Sequence, residues 1–279
     1  MKKTAAQTFK TMGQALTAPE KTFKDQDYLK SSFFLLILTV YLLTLASALL
    51  STAVMNRPEM QEFQLALSVR QAEKNMIGAS EADREALREQ IRMGMESPVA
   101  RIATYVSVVI TSGLFILVPL FFWGLQTVAA RFFGGEETAV DVEKRKKTVT
   151  RKHRRSLFLS FLAYIPLGIY SLLVGLVIFF RNPDTMTNVL TMEELMKKMD
   201  VDFSLFGLFA GFEVPVFLDT ILSSLTNPFY WWFFFISFFG MKEIWRLKKA
   251  GIITILALWI LFTGLYAWGS YSLAQAFTA

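Results

Sequence analysis

Two carboxylates, Glu213 and Asp219, lie in the apolar stretch FSLFGLFAGFEVPVFLDTILSSL and are the residues best placed by type to do chemistry. An acid at membrane depth is costly to hold, so it marks a proton or cation path, or a buried pair with a base. At headgroup level the same two acids would simply be solvated, and both readings stay open at this point. Other chemistry finds little to work with. The chain has no cysteine and one histidine, which excludes thiolate nucleophiles, disulfides, Cys-ligated metal and a multi-histidine metal site. His153 sits in a basic run with no carboxylate fixed beside it by spacing, and reads as a surface residue. The acid pairs Glu136-Glu137 and Glu193-Glu194 occupy helix-start positions, where the helix dipole favours them, and adjacent residues point to different helix faces. There is no HExxH, GxSxG, Walker A or GxGxxG in a strand–helix setting. No catalytic residue, cofactor or metal is expected.

The elements that position these residues are set by hydropathy. Of the 279 residues, 53% are hydrophobic and 27 are phenylalanine, with a mean hydropathy of +0.41. Several apolar runs reach the roughly 20 residues needed to cross a bilayer. Sidedness follows from KRKKTVTRKHRR, with basic residues Lys144, Arg145, Lys146, Lys147, Arg151, Lys152, Arg154 and Arg155 and no acid. A central Lys or Arg costs roughly 2.5–3.5 kcal/mol on insertion scales, so this run reads as a cytoplasmic loop facing anionic lipid headgroups at the inner leaflet. It lacks the interleaved aromatic residues that would suggest nucleic acid.

The expected fold is all-α: a polytopic membrane helical bundle with five transmembrane helices, a cytoplasmic N-terminus and an outer C-terminus. Spans fall at about 33–55, 102–130, 156–180, 228–244 and 252–274. Segments 1–30, 131–155 and 242–250 then hold 19 basic and 8 acidic residues, and the remainder holds 10 and 15, the expected inside bias. Residues 1–30 form a cytoplasmic segment, either a helix in which Phe9, Met12 and Leu16 share one face and would lie on the inner leaflet, or a loosely ordered tail. The apolar run that follows is too long for a signal-peptide core. Residues 56–100 are an extracytoplasmic helical insert, opened by Pro58 and restarted at a Ser80/Asp83 cap. Pro119 should kink the second span. Thr191 and Glu194 suggest a further cap. Residues 203–226 read as a re-entrant or interfacial segment, since a full crossing would leave Lys242, Arg246, Lys248 and Lys249 outside. Trp231, Trp232 and Trp245 read as interface anchors.

One motif carries a resemblance. Phe229 and Trp232, followed by Gly240, give F-x-x-W-x7-G, and Pro19 with Phe23, the Phe133-Gly134-Gly135 turn, and Tyr164 with Pro166 precede it in order. In this sequence of features the chain resembles the bacterial branch of the Yip1 domain family, with residues 31–279 as the transmembrane domain. The resemblance implies a five-span helical protein without catalytic residues. Some bacterial relatives are similar to accessory subunits beside ABC-type exporters; the GTPase-binding role of eukaryotic relatives is not carried over.

The resulting expectation is a non-enzymatic scaffold or accessory subunit in the bacterial plasma (inner) membrane, or in ER or Golgi membrane if eukaryotic. Its partners would be the lipid bilayer and a membrane protein or further copies of itself. The alternatives are a transporter or channel using Glu213 and Asp219, and, less favoured for want of a nucleophile–base pair, an intramembrane enzyme.

Overall fold

The computed structural model describes residues 2–24, 31–74, 80–133, 142–182, 201–209 and 215–278, and its regular elements are helices. In chain order they are α1 (Lys2–Thr17), α2 (Pro19–Lys24), α3 (Phe33–Met55), α4 (Pro58–Lys74), α5 (Glu81–Glu96), α6 (Pro98–Leu114), α7 (Leu117–Phe133), α8 (Val142–Phe180), α9 (Val216–Thr226), α10 (Pro228–Trp245) and α11 (Lys249–Thr278), with a 3-10 turn at Phe206–Phe209 before α9. Phe33–Met55, Pro98–Phe133, Lys152–Phe180 and Lys249–Gly269 are long and apolar enough to cross a membrane. The chain is therefore a helical membrane protein. Helix α10, read from sequence as a further span, has 18 residues and is not among these four. Tyr230, Trp231, Trp232, Lys242 and Glu243 dilute its hydropathy.

Helix α8 is the axis of the bundle. Its 39 residues rise about 58 Å, nearly twice the thickness of a hydrocarbon core. Helix α3 runs parallel to it. Phe33 meets Phe161 edge to face at 5.3 Å, and Ser47 Oγ donates to the Ser171 carbonyl at 2.6 Å. At the far end the Arg57 guanidinium donates to the carbonyls of Phe179 and Arg181. Small residues let the two backbones close: a Cβ on Gly175 would lie 3.0 Å from the Ser47 carbonyl oxygen, and one on Gly168 3.1 Å from Leu43 Cδ1. Close approach through small residues is how helices associate where lipid removes the hydrophobic drive.

Helix α10 runs antiparallel to α8. Phe229 lies 5.6 Å from Tyr170, and Trp245 lies 5.3 Å from His153. Helix α11 then runs back antiparallel to α7, with Gly251 against Phe133 and Trp259 against Phe122. Helix α9 packs on α11, where Phe217 and Ile221 sit over Gly264. Its 11 residues rise about 16 Å, about half a hydrocarbon core.

Several expectations are corrected. The run Lys144–Arg155 is no loop; it is the first part of α8, continuous with the apolar helix. Nothing in those residues breaks a helix, and Pro166 lies far into it. In α1 the buried face is Thr8, Thr11, Met12 and Ala15, packed on the bundle, whereas Phe9 is 61% exposed. Two of its members are threonines, so this face carries no apolar periodicity in the sequence. Their hydroxyls do the anchoring: Ser32 N donates to Thr8 Oγ1, and Thr11 and Ser31 hydroxyls pair, both at 2.8 Å. The second span starts at Pro98 and breaks at Phe115-Ile116. Pro119 lacks the N–H that would bond the Phe115 carbonyl, so Val118 N takes that carbonyl at 3.1 Å and the turn tightens upstream of the proline. The Ser80/Asp83 capping box forms as expected. The Thr191 and Glu194 cap lies outside the described residues.

Candidate functional site

The residues that carry the family resemblance gather along the seam of α8 and α10. Asn227 occupies a one-residue joint between α9 and α10. It is buried, and its Oδ1 accepts from Phe229 N at 2.9 Å, capping α10. Pro228 follows at the first helical position, where its missing N–H costs nothing. Phe229 is thereby fixed against Tyr170, and Trp232 stacks edge to face on Phe229 at 5.9 Å while leaving its outer side exposed. Tyr164 packs with Tyr230 against the core, and Pro166 is buried within α8. Gly240 marks the tightest point: a Cβ there would come within 2.5 Å of Leu159 Cδ2. Helix α2, started by Pro19, packs on α10 and places Phe23 in the same core at 1% exposure. Gly134 and Gly135 lie outside the described residues.

A buried polar layer crosses from α7 to α8. Gln126, Ser156 and Ser160 are fully buried; Ser156 Oγ donates to Gln126 Oε1 at 2.7 Å, and Gln126 Nε2 donates to Ser160 Oγ at 3.3 Å. Sequence reading missed this layer, although a glutamine inside an apolar span is the signal that could have found it. The one histidine is corrected too. His153 is half-buried, held between Trp123 at 6.2 Å and Trp245 at 5.3 Å, both edge to face. Trp245 is buried and so is no lipid-interface anchor; Trp231 and Trp232 are exposed as such anchors would be. Trp231 Nε1 donates to the Leu225 carbonyl, tying α10 to α9.

Of the two carboxylates, only Asp219 falls among the described residues. Asp219 lies half-buried in the first turn of α9, where the helix dipole favours an acid. Glu213 lies outside the described residues. A different acid organises this region: Asp202 accepts from Ser204 N, Ser204 Oγ and Ser223 Oγ at 2.7, 2.6 and 2.9 Å, fastening the segment before the 3-10 turn to α9. In the basic stretch Arg154 is exposed and Lys152 and Arg155 are partly covered.

What the seam can do chemically is hold helices at close range; on α10, Ser237 Oγ and Trp245 Nε1 are buried there without a hydrogen-bond partner among the described residues. Comparison of the chain with protein families, with characterised proteins and with solved structures finds no match.

Proposed function

We propose that the protein is a non-enzymatic multi-pass membrane protein of the Yip1 domain type. It acts as a scaffold or accessory subunit of a membrane complex, for instance beside an ABC-type exporter in a bacterial inner membrane. The observation that carries this reading is the use made of the resemblance residues. Phe23, Tyr164, Phe229 and Gly240 pack α2, α8 and α10 together, and Pro166 is buried within α8, as expected of a frame that works through what it holds. In the topology that goes with it, α10 is the fourth of five crossings. Its support is the antiparallel course of α10 along α8 and the return of α11 from the end of the bundle where Lys242, Arg246, Lys248 and Lys249 cluster. That end would be cytoplasmic, with α4, α5 and the Asp202 segment outside.

Two experiments test this. The chain lacks native cysteine, so single Ala82→Cys, Leu205→Cys and Lys248→Cys variants can be probed with an impermeant maleimide. The first two should label in intact cells freed of their outer layers, and the third only after permeabilisation. Labelling of positions 82 and 248 from one side would overturn the topology. Crosslinking in native membranes followed by purification in mild detergent should yield a species larger than the monomer; recovery of monomer alone would count against the scaffold role.

A second reading, a transporter or channel, is favoured by the polar layer inside the apolar helices and by half-buried Asp219. Flux of solute or ions into liposomes that falls in Glu213→Gln and Asp219→Asn variants would support it.

A further inference from the structure

Where the α4–α5 hairpin folds over the membrane helices, a cleft of about 340 Å³ opens between α4, α5 and the start of α6. It would hold roughly ten waters at about 30 Å³ each, and it lies at the lower end of the range for small-ligand sites. Two helices face each other across it with residues at i, i+3 spacing: Gln61 and Gln64 from α4, and Arg101 and Thr104 from α6. Asn56, the residue that ends α3, lines it too.

The charge of the lining is selective. Residues 56–100 contain eight carboxylates, yet among the described residues none lines the cleft, and the single charged group described there is Arg101. Its guanidinium has no carboxylate or hydrogen-bond partner among the described residues. The amides are also largely unspent. Gln64 Nε2 reaches only the Met55 thioether, a weak acceptor, at 3.7 Å, and the Gln61 side chain makes no hydrogen bond among the described residues. Asn56 Nδ2 uses one donor on the Tyr105 hydroxyl at 3.3 Å. One fork of guanidinium donors with two amide donors opposite matches the several oxygens of a phosphate group.

Position narrows the ligand further. Arg101 is in the first turn of α6, one residue before the apolar run of that helix begins, so the cleft stands at the level of lipid headgroups. We propose that this cleft binds a phosphate-bearing group, with Arg101 holding the charge and Gln61 and Gln64 orienting the remaining oxygens. The group is the glycerophosphate of an anionic phospholipid or a soluble phosphate monoester of similar size. This assignment is independent of the scaffold reading, because it requires only that the hairpin cap the membrane helices.

The test uses the full-length protein in nanodiscs of phosphatidylcholine, alone or mixed with phosphatidylglycerol, with lipids that co-purify counted by native mass spectrometry. Retention of phosphatidylglycerol that falls at least tenfold in Arg101→Gln and several-fold in Gln61→Leu/Gln64→Leu supports the site with a lipid as its source. Displacement of that lipid by added glycerol 3-phosphate, or binding of glycerol 3-phosphate alone that Arg101→Gln abolishes, supports it with a soluble source. An Arg101→Lys variant that keeps partial binding confirms a charge role and shows that the hairpin still folds. Equal lipid retention in wild type and Arg101→Gln, with no glycerol 3-phosphate bound by either, overturns the proposal.

Discussion

Gly240 and Gly175 look alike in the sequence but confront different neighbours, and substitution should separate them. At Gly240 the obstruction is the Leu159 side chain. Gly240→Ala should cost about 1–3 kcal/mol in thermal unfolding in detergent, as overpacking does. Adding Leu159→Ala should recover part of that loss, because the intruding methyl fills the space that Leu159 vacates. At Gly175 the obstruction is the backbone of Ser47, and no side-chain truncation removes it. Gly175→Ala should therefore be destabilising with no rescue by Ser47→Ala, and that double variant also loses the bond to the Ser171 carbonyl. Asn227→Asp should leave stability close to wild type, since aspartate caps equally well, whereas Asn227→Leu should cost about 1 kcal/mol or more. Gly240 was legible as part of a spaced motif. Gly175 was not, because its reason lies on a helix more than a hundred residues earlier in the chain. His153 was misread for the same cause: the two tryptophans that enclose it come from α7 and α10.

Among the elements, α5 offers the cleanest test of a local rule. Its start rests on Ser80 and Asp83, whose carboxylate accepts from Ser80 N at 3.0 Å and from Ser80 Oγ at 2.6 Å. These bonds, the side-chain one first, hold the Asp83 carboxyl below its ordinary value of 3.8. A depressed value means that the stabilisation is complete above that ordinary value and is lost as pH falls through the lowered one. Amide exchange in the first turn of α5 should thus accelerate, after correction for its intrinsic pH dependence, once pH drops below roughly 4, and Ser80→Ala should remove most of that dependence. Local features of this kind were readable from the sequence: the cap, Pro58 opening α4, and a bend near Pro119. What escaped was set by tertiary partners. The buried face of α1 is half threonine and is recognisable only once Ser31 and Ser32 are seen to hydrogen-bond its hydroxyls. Charge in the basic run marks exposure to water and so suggests a loop, but charge says nothing about whether the backbone is helical.

For the molecule as a whole, hydropathy gave the class and most helix positions, whereas the count of crossings turns on α10. Its aromatic composition lowers its hydropathy although it lies along the central helix over most of its length. The polar layer of Gln126, Ser156 and Ser160 ties α7 to α8 within the apolar zone. Gln126→Leu should weaken that pairing by roughly 0.6–1.7 kcal/mol, the range for hydrogen bonds between membrane helices, measured as increased sensitivity to a denaturing detergent. The docking of α2 on α10 also bears on biogenesis. Phe23 leaves the ribosome about 200 residues ahead of the helix that will cover it, an interval of roughly 10–40 s at 5–20 residues per second. Throughout that interval the leading segment must wait, uncovered, on the face of the membrane where α10 will finish. The bundle therefore cannot be completed vectorially from its first helix, and a truncation that stops before α10 should leave residues 2–24 open to protease.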